Sequence, residues 1–213
     1  MKITSKDNRK TIRRFNEIVK IFRKYGFDNL LGQNSIDKYL PFSKNKVDPS
    51  EEMLEDDFPE RLRLMFQELG TTYIKLGQLL STRPDIVGTA GAKELAKLQD
   101  NNPPVEFSEI EEVIESELGD KIDNLFENFS REPMATASIG QVHEGYLPTG
   151  EHVAIKIQKK GLETLIQTDL NIMRFIAKQI DKRISSASIY NMPAVVDEFE
   201  RSIKKEIDRK SVV

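Results

Sequence analysis

Three groups of residues are of types and spacings that could do chemistry. Lys156 closes the run Val153-Ala154-Ile155-Lys156, in which positions alternate. On a strand, Val153, Ile155 and Ile157 would face one way, and Ala154, Lys156 and Gln158 the other. A lysine fixed in this manner offers a positive charge to a bound anion. Upstream, Ala135-Thr136-Ala137-Ser138-Ile139-Gly140 is a loop of mostly small side chains, through which backbone N–H groups can approach phosphate oxygens. Downstream, Glu206 follows Ile203 by three residues. It therefore lies beside an apolar helical stripe, where a carboxylate is costly unless paired. Plain alternatives exist for both charges: a lysine in a strand is often only solvated, and Glu206 could pair with Lys210.

These groups need particular elements to hold them. Residues 141–147 and 151–158 read as two strands joined by the turn Pro148-Thr149-Gly150. A helix is expected from about Leu162 to Lys182, then a Ser-rich turn. A last helix starts near Pro193, with Val196, Phe199, Ile203 and Ile207 as its stripe. Asp208 points roughly 200° away from Glu206, so the two carboxylates do not share a partner. A loop, a strand, a turn, a lysine-bearing strand and then a glutamate-bearing helix is the plan of a kinase small lobe, in which the lysine meets the nucleotide phosphates.

The preceding half reads as helical. Ile12, Phe15, Val19 and Phe22 recur at helical spacing, and residues 1–25 carry nine Lys/Arg against Asp7 and Glu17. Such a helix either lies on an anionic membrane surface or packs its stripe on its own domain. Gly32 to Asp48 reads as a linker, and an acidic stretch from Asp48 to Glu60 follows. From Arg61 onward, Leu62, Phe66, Leu69, Tyr73, Leu76 and Leu80 form one continuous stripe ended by Pro84, with Thr71, Lys75, Gln78 and Thr82 nearly opposite. A shorter helix is expected at about Ala90–Leu98, and a break at Asn101-Asn102-Pro103-Pro104. Ser108 with Glu111 resembles a capping box opening a helix to about Leu118, closed by Gly119-Asp120.

Composition narrows the function classes. The chain has 213 residues, 38% hydrophobic and 31% charged, with net charge -3. That balance argues against a protein devoted to nucleic acid. With no cysteine, disulfides, thiolate metal sites and a cysteine nucleophile are excluded. His143 and His152 form no spaced ligand cluster, so no metal-ligating residues are assigned. No stretch approaches the ~20 apolar residues that span a bilayer. A cytoplasmic location, peripheral to the membrane in one reading, is expected.

At this point the residues resemble a known family. Lys75-Leu76-Gly77-Gln78, continuing to Asp85, resembles the KxGQ helix of the AarF/UbiB kinase-like ATPases. Ala135 to His143 resembles their alanine-rich nucleotide loop, and Val153 to Lys156 their VAIK strand. Lys160 to Leu170, with Asp169, is similar to the run that follows, and Glu206-Ile207-Asp208 matches their ExD motif. The resemblance covers roughly Arg9 to Asp208. It implies an α+β fold: a protein-kinase-like small lobe of antiparallel sheet plus helices, with a helical extension before it and the large lobe missing. The expected division is 1–47 as basic extension and linker, 48–104 as KxGQ extension, and 105–213 as small lobe. It implies ATP binding with Mg2+, ATPase activity, and a link to isoprenoid quinone (ubiquinone) lipid biosynthesis. Lys75, Gln78 and Glu206 become the catalytic candidates. Ala135, Thr136, Ala137, Ser138, Gly140 and Lys156 become the nucleotide contacts. An anionic membrane surface, an isoprenoid lipid and protein partners are the further partners considered, and the alternative function is a non-catalytic membrane-surface or interaction module.

The pattern also departs from the family. Thr136 stands where alanine is usual, and only Gly140 remains of a glycine-rich loop. The expectation is that the loop's methyls and hydroxyls disfavour the nucleotide geometry of protein phosphorylation. No catalytic-loop or DFG-type aspartate follows Lys156, and Val212 occupies the place of a second glutamate. The expectation is a truncated chain without its Mg2+ ligands, inactive or weak in hydrolysis alone.

Overall fold

The computed structural model describes residues 5–27, 57–99, 104–183 and 191–207. The linker from Gly32 to Asp48, most of the acidic stretch, the Asn-Asn-Pro break, the Ser-rich turn, and Asp208 with Lys210 lie outside the described residues. The elements in chain order are α1 (Ser5–Lys24), α2 (Phe58–Leu69), α3 (Thr71–Ser81), α4 (Pro84–Leu95), α5 (Phe107–Leu118) and the single turn α6 (Ile122–Leu125). Then come β1 (Asn128–Phe129), β2 (Ala135–Thr136), β3 (Gly140–Tyr146), β4 (His152–Gln158), α7 (Leu162–Arg183) and α8 (Met192–Ile207). The chain forms two compact units. One comprises Met1–Leu98 with Ile166–Ser202, the other Gln99–Leu165 with Ile203–Val213.

The first unit is helical. In α1, Ile18, Val19, Ile21 and Phe22 are buried, whereas Ile12 is 57% exposed. The apolar stripe is thus spent on the protein's own core, which the spacing alone left open. The stripe expected as one helix is two. At Gly70 the backbone takes φ 90, ψ -163, a region in essence reserved for glycine, and α2 ends there. The phase shifts across this break. Leu62 and Leu76 are half-buried, while Met65, Ile74 and Gly77 join Phe66, Leu69, Tyr73 and Leu80 inside. Gly77 has a packing role: a Cβ there would stand 2.2 Å from Leu98 Cδ1 and 2.8 Å from Phe66 Cδ2. Pro84 begins α4 where a stop was expected, because proline suits a first helical turn. Gly88 then kinks that helix at φ 74, ψ 164.

A buried ion pair crosses this unit. Arg14 Nε donates to Asp169 Oδ1 at 2.8 Å and Arg14 Nη2 to Oδ2 at 3.0 Å. The same Nη2 donates at 2.7 Å to the Leu69 carbonyl, the last residue before the Gly70 break. Burial opposes the Arg14 charge, but its bonds to Asp169 and Glu17 more than offset that and hold it above its ordinary pKa. Burial, with the Asp169 charge, pushes the Tyr73 hydroxyl well up.

The second unit is a four-stranded antiparallel sheet backed by α5. β3 is central: β4 pairs along one edge, β1 and β2 along the other. Ile110 and Ile114 of α5 pack with Ile122, Phe126 and Ile157, and Val153 and Ile155 pack against this cluster. Glu106 is the N-cap of α5 and no side chain caps it, so Ser108 lies inside the helix and the expected capping box is not formed. Gly119, left-handed at φ 78, closes the helix as expected. The architecture is α+β, a kinase-like small lobe with helices.

Two glycines fail on replacement for different reasons. Gly70→Ala meets nothing within 4 Å but inherits a strained φ, at a cost of about 1–3 kcal/mol. Gly77→Ala keeps helical dihedrals but overpacks against Leu98 and Phe66, also costing about 1–3 kcal/mol. Urea midpoints of the two variants should both fall below that of the parent protein.

Candidate functional site

Sheet register decides which residues share a surface. Val142 is paired with Lys156, Glu144 with Ala154, Tyr146 with His152, and Gly140 with Gln158. On the other edge Ala135 is paired with Val142 and Asn128 with Tyr146. Cross-strand partners point to the same side. One face therefore holds Val153, Ile155, Ile157, Gln141 and His143, turned to α5. The opposite face holds Ala135, Val142, Lys156, Ala154, Glu144, Tyr146 and His152. Lys156 is exposed there and makes no ion pair with another described residue.

The loop is tighter than its sequence suggests. Ala135–Thr136 form β2, so part of the expected loop is strand. The Ala137 N–H donates to the Gly140 carbonyl at 2.8 Å, which closes a turn, and the Lys159 N–H donates to the Ile139 carbonyl at 3.1 Å. Ala135 is exposed, Thr136 and Ala137 are half-buried, and Ser138, Ile139 and Gly140 are buried. Gly140 is required by β4: a Cβ there would lie 2.3 Å from the Ile157 carbonyl oxygen. The one remaining glycine thus serves the strand crossing rather than a flexible loop.

Glu206 is half-buried in the last turn of α8 and engaged in contacts. The Gln158 side-chain amide, on the Lys156 face, donates to the Ile207 carbonyl at 2.5 Å. So the turn of helix bearing Glu206 is tied to the face bearing Lys156. Lys75 and Gln78 sit in α3, in the first unit. Both are half-buried and in contact, and Gln78 Nε2 donates to the Leu98 carbonyl at 3.3 Å.

Three features escaped the sequence reading. Lys159, beside the loop, has its ammonium pKa lowered by burial. Lys160 pairs with Glu112 of α5. Behind the sheet runs a buried polar chain. Val105 N–H donates to Gln141 Oε1, Gln141 Nε2 lies 3.2 Å from His143 Nε2, and His143 Nδ1 lies 2.8 Å from the Ser130 carbonyl. A carbonyl only accepts, so His143 carries its proton on Nδ1 and accepts from Gln141. His143 also stacks on Phe129 at 5.3 Å. Alternation of polar residues on the inner face of β3 was the signal available, but nothing in sequence tells a buried, satisfied pair from a solvated one. Among the described residues, no group of three or more His, Asp or Glu could hold a metal ion.

Residues 97–211, more than half of the chain, match the ABC1 atypical kinase-like domain. The chain belongs to this family. An uncharacterized protein in the hydrogenase 1 5′ region of Clostridium pasteurianum is 38% identical over 93% of this chain and 34% of its own length. The probable protein kinase UbiB of Shewanella baltica is 36% identical over 94% of this chain and 37% of its own. That of Pseudomonas putida is 42% identical over 70% and 28%. The chain spans about a third of the length of the curated relatives it matches. A solved structure of Rv3197 with erythromycin, from Mycobacterium tuberculosis, covers 70% of this chain at 29% identity with a TM-score of 0.45.

The tie from Gln158 to α8 is open to test. Gln158→Ala should remove one hydrogen bond, worth about 1 kcal/mol. Amide hydrogen exchange should rise over the last turn of α8 and stay unchanged in α5.

Proposed function

We propose that this chain is a nucleotide-binding portion of a UbiB-type atypical kinase or ATPase, with ATP as its ligand. One observation carries this reading. The strand register sets Ala135, Val142 and Lys156 in a single row across three strands, on the face turned away from the α5 core. Small and apolar side chains there can lie against a base and sugar, while Lys156 supplies the charge for the phosphates. Lys159 donates its N–H to the Ile139 carbonyl, which ties the end of β4 to the turn from Ala137 to Gly140. Ala154, paired with Glu144 and two residues before Lys156, keeps the surface between them low.

Glu206 fits this reading as the carboxylate that steadies Lys156 once a nucleotide is bound, since Gln158 already holds its helix end to that face. Hydrolysis and any link to quinone lipids belong to the whole family protein and are proposed only at that level. For the residues present, the proposal is binding with little or no turnover.

The test is calorimetric titration of ATP in magnesium-containing buffer. Lys156→Ala should weaken binding by roughly tenfold or more, the loss expected for one charge-assisted contact. Lys121→Ala, an exposed cation outside the row, should leave affinity unchanged. Equal ATP affinity in parent and Lys156→Ala would remove the basis for the proposal.

A second reading rests on α1. Arg9, Lys10, Arg13 and Lys20 are exposed together with Ile12, while the deeper stripe is buried. This surface suits electrostatic docking on anionic lipid rather than insertion. Among the described residues no helix is long and apolar enough to cross a membrane. Co-sedimentation with phosphatidylserine vesicles should be lost on reversing Arg9, Lys10 and Arg13 to Glu, and should weaken with salt. Vesicle binding indifferent to both would rule this reading out.

A further inference from the structure

The backbone ladder of the sheet leaves one edge open. The N–H groups of Glu127, Ser130, Met134 and Ala137 donate to the carbonyls of Tyr146, Glu144, Val142 and Gly140. The even-numbered residues of β3 therefore bond away from β4, and the odd-numbered ones bond to it. Two bonds keep this phase at the ends of the hairpin: Leu147 N–H to the Glu151 carbonyl, and Lys159 N–H to the Ile139 carbonyl. In β4, Val153, Ile155 and Ile157 thus turn their backbone groups to β3, while His152, Ala154, Lys156 and Gln158 turn theirs to the far edge. Among the described residues β3 alone pairs with β4, and no hydrogen bond reaches the backbone of those four. The tie from Gln158 to α8 uses its side chain. His152, Ala154 and Lys156 are exposed. The edge is seven residues long, with neither proline nor bulge to discourage a further strand.

We propose that this edge is a self-association surface, where β4 pairs antiparallel with β4 of a second copy about a two-fold axis at Ile155. The strand has the same apolar pattern read in either direction, with Val153, Ile155 and Ile157 at alternate positions. Centred on Ile155, Ala154 meets the second copy's Lys156, and His152 meets its Gln158. All four turn their backbone groups to this edge, as hydrogen-bonded pairs require. Val153 then faces Ile157 and Ile155 faces itself, on the α5 side. Val153 and Ile155 are only half-buried there, so a second copy extends their cover. Charge fits the same register. On the outer face one row runs from Glu144 through Ala154 to the second copy's Lys156. Strands lie ~4.8 Å apart, so the lysine reaches over a single methyl toward a carboxylate whose backbone is ~10 Å away. Symmetry supplies that pair twice. An axis at Lys156 would set two lysines directly opposite, which is unfavourable. An axis at Ala154 would leave Ile157 and Gln158 without partners in β4. The match is of this strand to itself, which makes a second copy the occupant.

The pairing is independent of the nucleotide reading, and its test uses the full chain without nucleotide. The protein has no cysteine, so one introduced thiol reports its own neighbour. Under copper-catalysed air oxidation, Ile155→Cys should give a disulfide-linked dimer, because a non-hydrogen-bonded antiparallel pair sets its Cα atoms ~4.5 Å apart, within disulfide reach. Val153→Cys, on the same strand face, should stay unlinked, since its two copies lie four residues out of step. Sedimentation equilibrium of the parent chain should show monomer and dimer in exchange. Ala154→Lys sets a lysine against the second copy's Lys156 and should weaken association roughly tenfold, with the circular dichroism spectrum unchanged. Ala154 is exposed, so this variant decides the question even if a cysteine disturbs the core. Glu144→Lys should weaken the dimer as well, and adding Lys156→Glu to it should restore association. A parent chain that stays monomeric up to its solubility limit overturns the proposal. So does a dimer that Ala154→Lys leaves intact and that links no better through Ile155→Cys than through Val153→Cys.

Discussion

The register of β3 against β4 is the constraint on which the rest depends. Side chains alternate across a strand with period two, so one pairing choice sets both faces of the sheet at once. With Val142 opposite Lys156, the residues Val153, Ile155 and Ile157 turn to α5 and complete the apolar core. The same choice sends Lys156, Ala154 and Glu144 outward together. A slip of one residue would bury the lysine and expose the isoleucines. Burial of each large aliphatic side chain is worth about 1.5–3 kcal/mol, so the core enforces the register and the register sets which residues share the outward face. Gly140 guards the other end, since any side chain there would collide with the β4 backbone.

The helical unit shows the same economy of means. Gly77 of the KxGQ segment lets α3 pass close to Leu98 and Phe66, and Gln78 bonds the Leu98 carbonyl. Two residues of a motif that suggests chemistry thus also hold the helix in place. Arg14 and Asp169, far apart in sequence, form a buried bidentate pair that also takes the carbonyl before the Gly70 break. Removing one partner of such a pair leaves a buried charge uncompensated, typically at ~3–5 kcal/mol. The break, the pair and the packed glycine together fix where α3 starts and what it lies against.

Much of this was legible in sequence, and the misses have physical reasons. The strands of the hairpin, the turn at Gly150 and the two long helices follow from periodicity and turn chemistry, and the structure places them within a residue or two of their expected ends. The break at Gly70 was missed because the apolar spacing runs on across it. Only the backbone conformation, invisible in a pattern of hydrophobic residues, shows that the phase shifts. Ser108 misled because a capping sequence is one offer among several, and here the chain enters the helix two residues earlier. For the candidate site, the outward position of Lys156 was readable from alternation, whereas part of the expected small-residue loop is strand β2. The Gln158 tie and the buried Gln141–His143 chain were not readable. The Gln158 tie reaches a distant helix end that no local spacing encodes, and alternation puts Gln141 and His143 on one strand face without telling that the pair is buried and satisfied.

The central claim is that the outward face of β3 and β4 is a nucleotide surface ordered by this register. Lysine acylation followed by mass spectrometry, on the full 213-residue chain with and without saturating ATP, tests it most directly. The account predicts that ATP shields Lys156 while Lys121 and Lys93 label at their original rates. Unchanged labelling of Lys156 at ATP concentrations that saturate binding would contradict it.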